Sequence, residues 1–432
     1  MLNFEKKIFQ RFKDKKICIL GFGREGESTL KLLRQVFPNK TIGIADIKPK
    51  AINDAHIKLH SGKDYLRVLK LYDVIFRTPG IPVTLVKKFT KTNAVITSQT
   101  KLFFDLCPAI IIGITGTKGK STTASLIYQV LKSKYKTHLI GNIGSPPLDH
   151  LRQINQDSKV IFELSSHQLS DLHQSPQIAV FLNIFSEHMD YYSSFPQYVT
   201  AKANITKFQT KKDLLIFNSQ DPLVSQIAKT SQARKIPLSS QEKIISIKDS
   251  PLIGQFNLIN IIPSVIIGKY FKISEKKIIQ IIKGFKSLSH RLEKVGKYKG
   301  ITFINDSLAT VPEATIAAIN SFQSDIDSLI VGGFDRGVDQ SHLAQSILNS
   351  SIPTVIVLPD TGLTIKVIIE KHKKKPLKFL KATSMKQAVK LAFKNTNKGK
   401  ICLMSPGAAS FNMFKDYQDR GNQFKQAVKN LI

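Results

Sequence analysis

Short apolar runs rich in isoleucine and valine recur along the chain, and they stop at turns bearing glycine, proline or acidic residues before stretches with helical spacing begin. One such run, Ile110 to Ile112, gives way to Gly113, Gly116 and Gly119, after which Leu126, Ile127, Val130 and Leu131 mark the apolar face of a helix. Nearer the start, Ile17 to Leu20 predicts a buried strand, Gly21, Gly23 and Gly26 a G-x-G-x-x-G turn, and Ser28 to Val36 a helix, with a further strand ending at Asp46. Another strand ends near Thr78 in a Pro-Gly turn. Further on, Val160 to Phe162 delivers Glu163, Ile178 to Leu182 leads into Asn183, Glu187, His188 and Asp190, and a helical stretch after Phe195 carries Lys202 among small residues. From Ile301 the alternation resumes, with a strand ending at Asp306 and a helix opening near Pro312 with Glu313 in its first turn. A strand into Gly332 and Gly333 precedes Asp335, Arg336 and Asp339, and two more strand-and-turn units close the chain.

This alternation makes the chain α/β, and it predicts a Rossmann-like N-terminal domain over 1–98, a central P-loop ATPase-type parallel-sheet domain over 99–288 and a Rossmann-like C-terminal domain over 289–432. The strongest chemical signal is the central turn. Its glycines let successive N–H groups point at an anion, Lys120 adds a mobile positive charge, and the Ser121 hydroxyl suits the Mg2+ of a nucleoside triphosphate. The spacing is G-x-x-G-x-x-G-K-S, with Ile114 where the general pattern has glycine. Glu163 fits a metal ligand or a water-orienting group, or else a plain capping or surface glutamate. His188 reads equally as structural or ligand-facing, and Lys202 reads from its own neighbours as a solvated charge. Asn257 and Asn260 share a helix face. Asp46 lies where a Rossmann unit places a ribose-binding acid, although the turn before it marks a phosphate of some nucleotide-linked substrate more safely than NAD. The Pro-Gly turn from Ser405 to Ser410 suits a carboxylate.

Composition changes this picture in one respect. Apolar content of 42% is ordinary, Cys18, Cys107 and Cys402 lie far apart in or beside apolar runs, and the charged N-terminus is unlike a signal peptide. A cytoplasmic protein with no membrane insertion is the expectation. The net charge of +33 raises nucleic acid as a partner, but the lysines are scattered, with only short clusters such as Lys373 to Lys375, and no basic motif interleaved with aromatics occurs. The excess is therefore read as solvated lysine bias, part of it steering a polyanionic substrate, with no nucleic acid expected.

Together GITGTKGKST, GNIG, ELSSHQL, NIFSEHMDYY, TAKANI, NLIN, SHRLE, NDSLAT, GGFDRG and SPGAASFNMFKDYQDRGNQF resemble the Mur ligases, the ATP-dependent amide-forming enzymes of peptidoglycan synthesis. The closing block is most similar to the branch that adds D-glutamate to UDP-N-acetylmuramoyl-L-alanine through an acyl phosphate. The resemblance implies that Gly116, Thr117, Lys118, Gly119, Lys120, Ser121, Thr122, Asn260, Arg291 and Asp306 bind ATP. It further implies that Ser121, Glu163, His188 and a carbamylated Lys202 surround a pair of Mg2+ ions, with Lys120, His188 and Lys202 catalytic. Gly21, Gly23, Asp46, Thr78 and Asn142 fall where the UDP-linked substrate is held, and Thr310, Arg336, Ser410 and Phe411 match the glutamate pocket. Leu308 stands where the family commonly has lysine, and Arg336 where some members do; Arg336 keeps a bidentate grip on a carboxylate, whereas Leu308 replaces a charge with none. The acceptor's stereochemistry, D or L, stays open, as does a folylpolyglutamate synthase-like ligase. A monomer is expected.

Overall fold

A computed structural model describes residues 1–48, 52–189, 191–239, 245, 250–252, 257–286, 288–372 and 376–431. Asp190 and the Lys373 to Lys375 cluster lie outside the described residues. The chain forms two compact units, one holding Met1–Ile245 with Leu258–Ile282, the other holding Lys283–Ile432.

The first unit contains a pair of parallel sheets. Strands β1 (Ile17–Leu20), β2 (Ile42–Asp46), β3 (Ile57–Ser61), β4 (Val74–Arg77) and β5 (Val95–Thr97) form the first, in the order β3-β2-β1-β4-β5. Strands β1 and β4 are buried throughout, which is why they read as continuous apolar runs, while the edge strand β3 is mostly exposed. The second sheet comprises β6 (Ile110–Thr115), β7 (Thr137–Gly141), β8 (Lys159–Glu163), β9 (Ile178–Phe181), β10 (Leu214–Asn218) and β11 (Arg234–Leu238), ordered β11-β10-β9-β6-β8-β7. Its central strand β6 pairs in parallel with β8 and β9, so the turn after β6 and the residues that end β8 and β9 emerge at one edge. The sheets share packing: the guanidinium of Arg77, fully buried at the end of β4, meets Asp171 at 2.8 Å and donates to the carbonyls of Pro79 and Ile81.

The second unit holds β12 (Glu293–Tyr298), β13 (Ile301–Asn305), β14 (Ile326–Gly333), β15 (Thr354–Asp360), β16 (Lys378–Lys381) and β17 (Ile401–Met404), ordered β12-β13-β17-β14-β15-β16. This sheet is mixed, which the alternation of strand and helix did not predict. β12 runs antiparallel to β13 through a turn whose Lys299 and Gly300 have φ of 47° and 88°. Those two positive dihedrals suit a tight hairpin, but Lys-Gly signals one less clearly than Asn-Gly, and β12 is half-exposed with no sharp alternation. The helix Pro312–Phe322 begins with proline and Glu313 in its first turn, as the sequence indicates. Among the described residues no helix is long and apolar enough to cross a membrane.

Candidate functional site

The glycine-rich turn leaves β6 and enters the helix Lys120–Lys132, with Gly119 in the left-handed region at φ 90° as its N-cap. A Cβ there would lie 2.0 Å from Oδ1 of Asn260, so only glycine fits between the turn and the helix Asn257–Tyr270. Asn183, just past β9, braces the turn from the other side: its Oδ1 accepts from the Lys118 N–H at 2.8 Å, and its Nδ2 donates to the Lys118 carbonyl at 2.9 Å. Thr117 adds a second brace, with its Oγ1 2.9 Å from the Tyr198 hydroxyl and accepting the Phe185 N–H.

Two amines converge on one carbonyl of this turn. Lys120 Nζ donates to the Gly116 and Thr117 carbonyls at 2.9 Å each, and Lys202 Nζ donates to the same Gly116 oxygen at 2.8 Å. Lys202, on the helix Phe195–Lys207, is 2% exposed and lies 4.9 Å from the centre of the Tyr198 ring. The reading of Lys202 as a solvated charge is thus overturned by burial. That burial, with Lys120 beside it, holds the Lys202 amine well below its ordinary pKa.

Glu163 ends β8 buried, and its Oε2 has no hydrogen-bond partner. A buried carboxylate oxygen left unsatisfied beside a phosphate-type turn is the feature a cation would complete. Glu187 forms an ion pair with Lys118 at 2.8 Å; burial raises its pKa, but Lys118 outweighs that and leaves it lowered. His188 sits at φ 62°, its ring 4.7 Å from that of His167. Among the described residues no cluster of three or more His, Cys, Asp or Glu side chains is arranged to hold a metal by itself. Ser121 and Thr122 occupy the first turn of the helix after Gly119.

In the first sheet, Gly21 at φ 87° packs against Thr78, whose Oγ1 would be 2.1 Å from any added Cβ. Both oxygens of Asp46 accept backbone N–H groups, from Phe22 at 2.6 Å and Lys48 at 2.9 Å. The acid thus braces the Gly21 to Gly23 turn. Asn142 is exposed in the loop after β7, its N–H donating to the Glu163 carbonyl at 3.4 Å.

In the second unit, Asp306 accepts from the Leu292 N–H at 3.1 Å and the Ser405 hydroxyl at 2.8 Å, so it ties the turn carrying Arg291 to the end of β17. The Arg336 guanidinium stacks 5.3 Å from the exposed Phe411 ring. Ser410 is buried next to it in sequence, and Thr310 and Leu308 are half-buried.

Residues 114–244 match the family described as Mur ligase middle domain, and residues 290–407 match Mur ligase, glutamate ligase domain. A UDP-N-acetylmuramoylalanine–D-glutamate ligase from Acetivibrio thermocellus is 32% identical over 468 residues, covering 99% of this chain and 98% of its own. Another of that name from Clostridium botulinum is 32% identical over 459 residues, covering 99% and 100%. The chain belongs to the Mur ligase family. It is therefore an enzyme that forms bonds with ATP, as its turn after β6 suggests. The MurF ligase of Thermotoga maritima, solved in complex with ADP, shares the fold at a TM-score of 0.62 over 97% of each chain, with 15% identity.

This Mur ligase also contains placed residues that pattern reading did not single out. Tyr198 carries the signal of an aromatic one helical turn before Lys202, a spacing that puts both on one face. Arg420, fully buried on the helix Tyr417–Lys429, donates to the carbonyls of Ser307, Ala408 and Ala409. Burial lowers its pKa to about 10, against the pull of Asp306. His290 adopts φ 65° and accepts from Asn305 at 3.0 Å, a strained turn beside Arg291 that no periodicity announces.

Proposed function

We propose that the chain joins D-glutamate to UDP-N-acetylmuramoyl-L-alanine, releasing ADP and phosphate. The observation that carries the reading is the convergence of Lys120 and the buried Lys202 on the Gly116 carbonyl, with the unsatisfied Glu163 oxygen in the same unit. The names of the near full-length relatives supply the substrates. By job the chain divides as 1–98 for the UDP-linked substrate, 99–288 for ATP and 289–432 for glutamate. It works in the cytoplasm as a monomer, on small-molecule substrates rather than nucleic acid.

In this reading an alanyl carboxylate oxygen attacks the γ-phosphorus of ATP, the bond to the β-phosphate breaks, and an acyl phosphate forms. The glutamate amine then attacks the acyl carbon, phosphate leaves, and the amine's proton passes to solvent. Lys120 exchanges its carbonyl partners for phosphate oxygens and offsets the charge of the anions that meet there. Ser121, Glu163, His188 and carbamylated Lys202 would hold Mg2+, which would supply charge neutralisation to the phosphates. Lys202 fits that role because burial, with Lys120 beside it, holds its amine well below its ordinary pKa and so eases loss of the ammonium proton. The deprotonated amine's lone pair attacks CO2, an N–C bond forms as a C=O π bond opens, the remaining extra N–H proton leaves to solvent, and the neutral amine becomes a carbamate anion. Asn260, Arg291 and Asp306 contact the nucleotide; Thr310, Arg336, Ser410 and Phe411 hold glutamate.

The test is phosphate release from ATP with Mg2+ and UDP-N-acetylmuramoyl-L-alanine, in parallel with D-glutamate, L-glutamate or neither. Release with D-glutamate alone is expected. Release with L-glutamate alone keeps the chemistry and assigns the other isomer, and release in none of the tubes overturns the reading.

A further inference from the structure

The loop from Gly141 to Pro146 follows β7 and lies between the turn of the first sheet and the end of β8. Its ends are closed by the Gly141 N–H donating to the Ser145 carbonyl at 3.2 Å, and Asn142 is carried exposed within it. Arg24, at the start of the helix that follows Gly23, donates to the Gly144 carbonyl at 2.9 Å, and Ser28 on that helix donates to Asp149 at 2.8 Å. The loop is thus fastened on one side to the turn of the first sheet, and through Asn142 to the end of β8 on the other.

Three side chains, Ser145 of the loop and His150 and His138 beside it, line up. The Ser145 hydroxyl is hydrogen-bonded to Nε2 of His150, and Nδ1 of His150 faces Nδ1 of His138 at 3.2 Å. His138 stands on β7, 6% exposed, and its Nε2 has no partner. Two facing ring nitrogens share one proton, so the tautomers of both rings are linked and all the hydrogens of the relay point the same way. Burial, with His150 and Lys136 beside it, takes the His138 pKa down to about 4, and burial lowers that of His150 against the pull of Asp149. Both rings are then neutral at pH about 7 and each holds a single proton.

The orphaned Nε2 selects the direction. An enclosed N–H without an acceptor is the rarer arrangement, so His138 carries its proton on Nδ1 and leaves Nε2 as the bare lone pair. His138 then donates to His150, His150 donates through Nε2 to Ser145, and the oxygen of Ser145 is the acceptor. The hydroxyl proton of Ser145, which is half-exposed, is left free to point out of the relay.

Resting on the reading that this loop holds the UDP-linked substrate, we propose that the His138–His150–Ser145 relay makes Ser145 a substrate-binding donor to an anionic oxygen of that substrate. His150 and His138 act as positioning residues: they occupy the serine's acceptor side and fix its donor side outward. No proton is transferred to substrate in this role.

Two experiments separate the relay from the function it serves. Steady-state kinetics of Ser145→Ala are expected to show the KM for UDP-N-acetylmuramoyl-L-alanine raised about three- to tenfold, the worth of one hydrogen bond, with the KM for ATP unmoved. Ser145→Thr keeps a hydroxyl and should stay within about twofold of the parent, while His150→Phe should resemble Ser145→Ala and His150→Gln, which keeps an N–H donor, should recover most of the loss. An unchanged KM in Ser145→Ala, or equal shifts for all substrates, overturns the proposal. The second readout needs no substrate: imidazole 15N shifts of the full-length protein should report the Nδ1–H tautomer for His138 and the Nε2–H tautomer for His150. The opposite pair of tautomers, or averaging between them, overturns the relay even if the ligase assay succeeds. Correct tautomers in a protein that releases no phosphate with any glutamate would leave the relay standing and remove the functional reading alone.

Discussion

At the scale of single residues, burial decides what composition cannot. Lys202 sits between alanines, a context that in most helices faces water, yet its amine is enclosed with Tyr198 and shares a carbonyl with Lys120. The motif resemblance assigned it a role that its neighbours in sequence contradict, and its burial beside Lys120 explains why its amine gives up a proton more readily than a surface lysine. If it is carbamylated, Lys202→Ala should lose activity and partly recover it with a short carboxylic acid, which restores an anion in the vacated space. No recovery would sink that assignment. Arg336 behaves oppositely: it is exposed, and its stacking on Phe411 leaves the edge of its guanidinium available to a carboxylate. Arg336→Ala should raise the glutamate KM far more than the ATP KM, and equal effects would count against it. Gly421 is legible only in three dimensions, because a Cβ there would meet Nδ1 of His290 at 2.1 Å. Gly421→Ala is expected to destabilise the second unit by about 1–3 kcal/mol, read as a lower denaturation midpoint, since the buried ring must shift.

At the scale of elements, the inner parallel strands β1, β8 and β9 were plain because they are buried throughout and so read as unbroken apolar runs, whereas the exposed parallel edge strands β3 and β11 were not. β12 was not, being a half-exposed edge strand whose hairpin turn lacks a strong signal. The segment after β9 was legible as a place where polar groups gather, but not as a brace for the glycine-rich turn, because Asn183 acts on Lys118, 65 positions away. Asp221 shows how such a segment is held. One carboxylate oxygen caps the helix Pro222–Thr230 through the Leu223 and Val224 N–H groups, and the other accepts the Ile184 N–H at 2.8 Å. Asp221→Ala therefore removes a cap and orphans a buried donor together, and a loss of about 1–3 kcal/mol in urea unfolding is expected. Asp221→Asn keeps an oxygen for the cap but offers an amide where Ile184 needs an acceptor, so it should recover only part. Full recovery by asparagine would mean that the cap alone matters.

At the scale of the whole molecule, three stretches of alternating strand and helix made the α/β class readable, and the mixed third sheet is the departure. Charge is the property the fold does not explain. With 64 basic against 31 acidic residues, the basic side chains exceed the acidic ones by 33, and the ion pairs among the described residues include buried fasteners such as Arg77 with Asp171. A field of that sign draws polyanions towards the protein over roughly the Debye length, about 10 Å at 0.1 M salt. If it steers the UDP-linked substrate, raising KCl from about 50 to about 300 mM should lower kcat/KM for that substrate while leaving kcat nearly constant, because encounter is screened and chemistry is not. Glutamate, a smaller anion with fewer charges, should respond less. The same field should retain duplex DNA at low salt and release it near physiological salt, the behaviour of scattered lysines without base contacts. DNA binding that survives about 200 mM salt would instead point to an organised nucleic-acid surface, and the lysine excess would then have to be read as a second binding function rather than as steering.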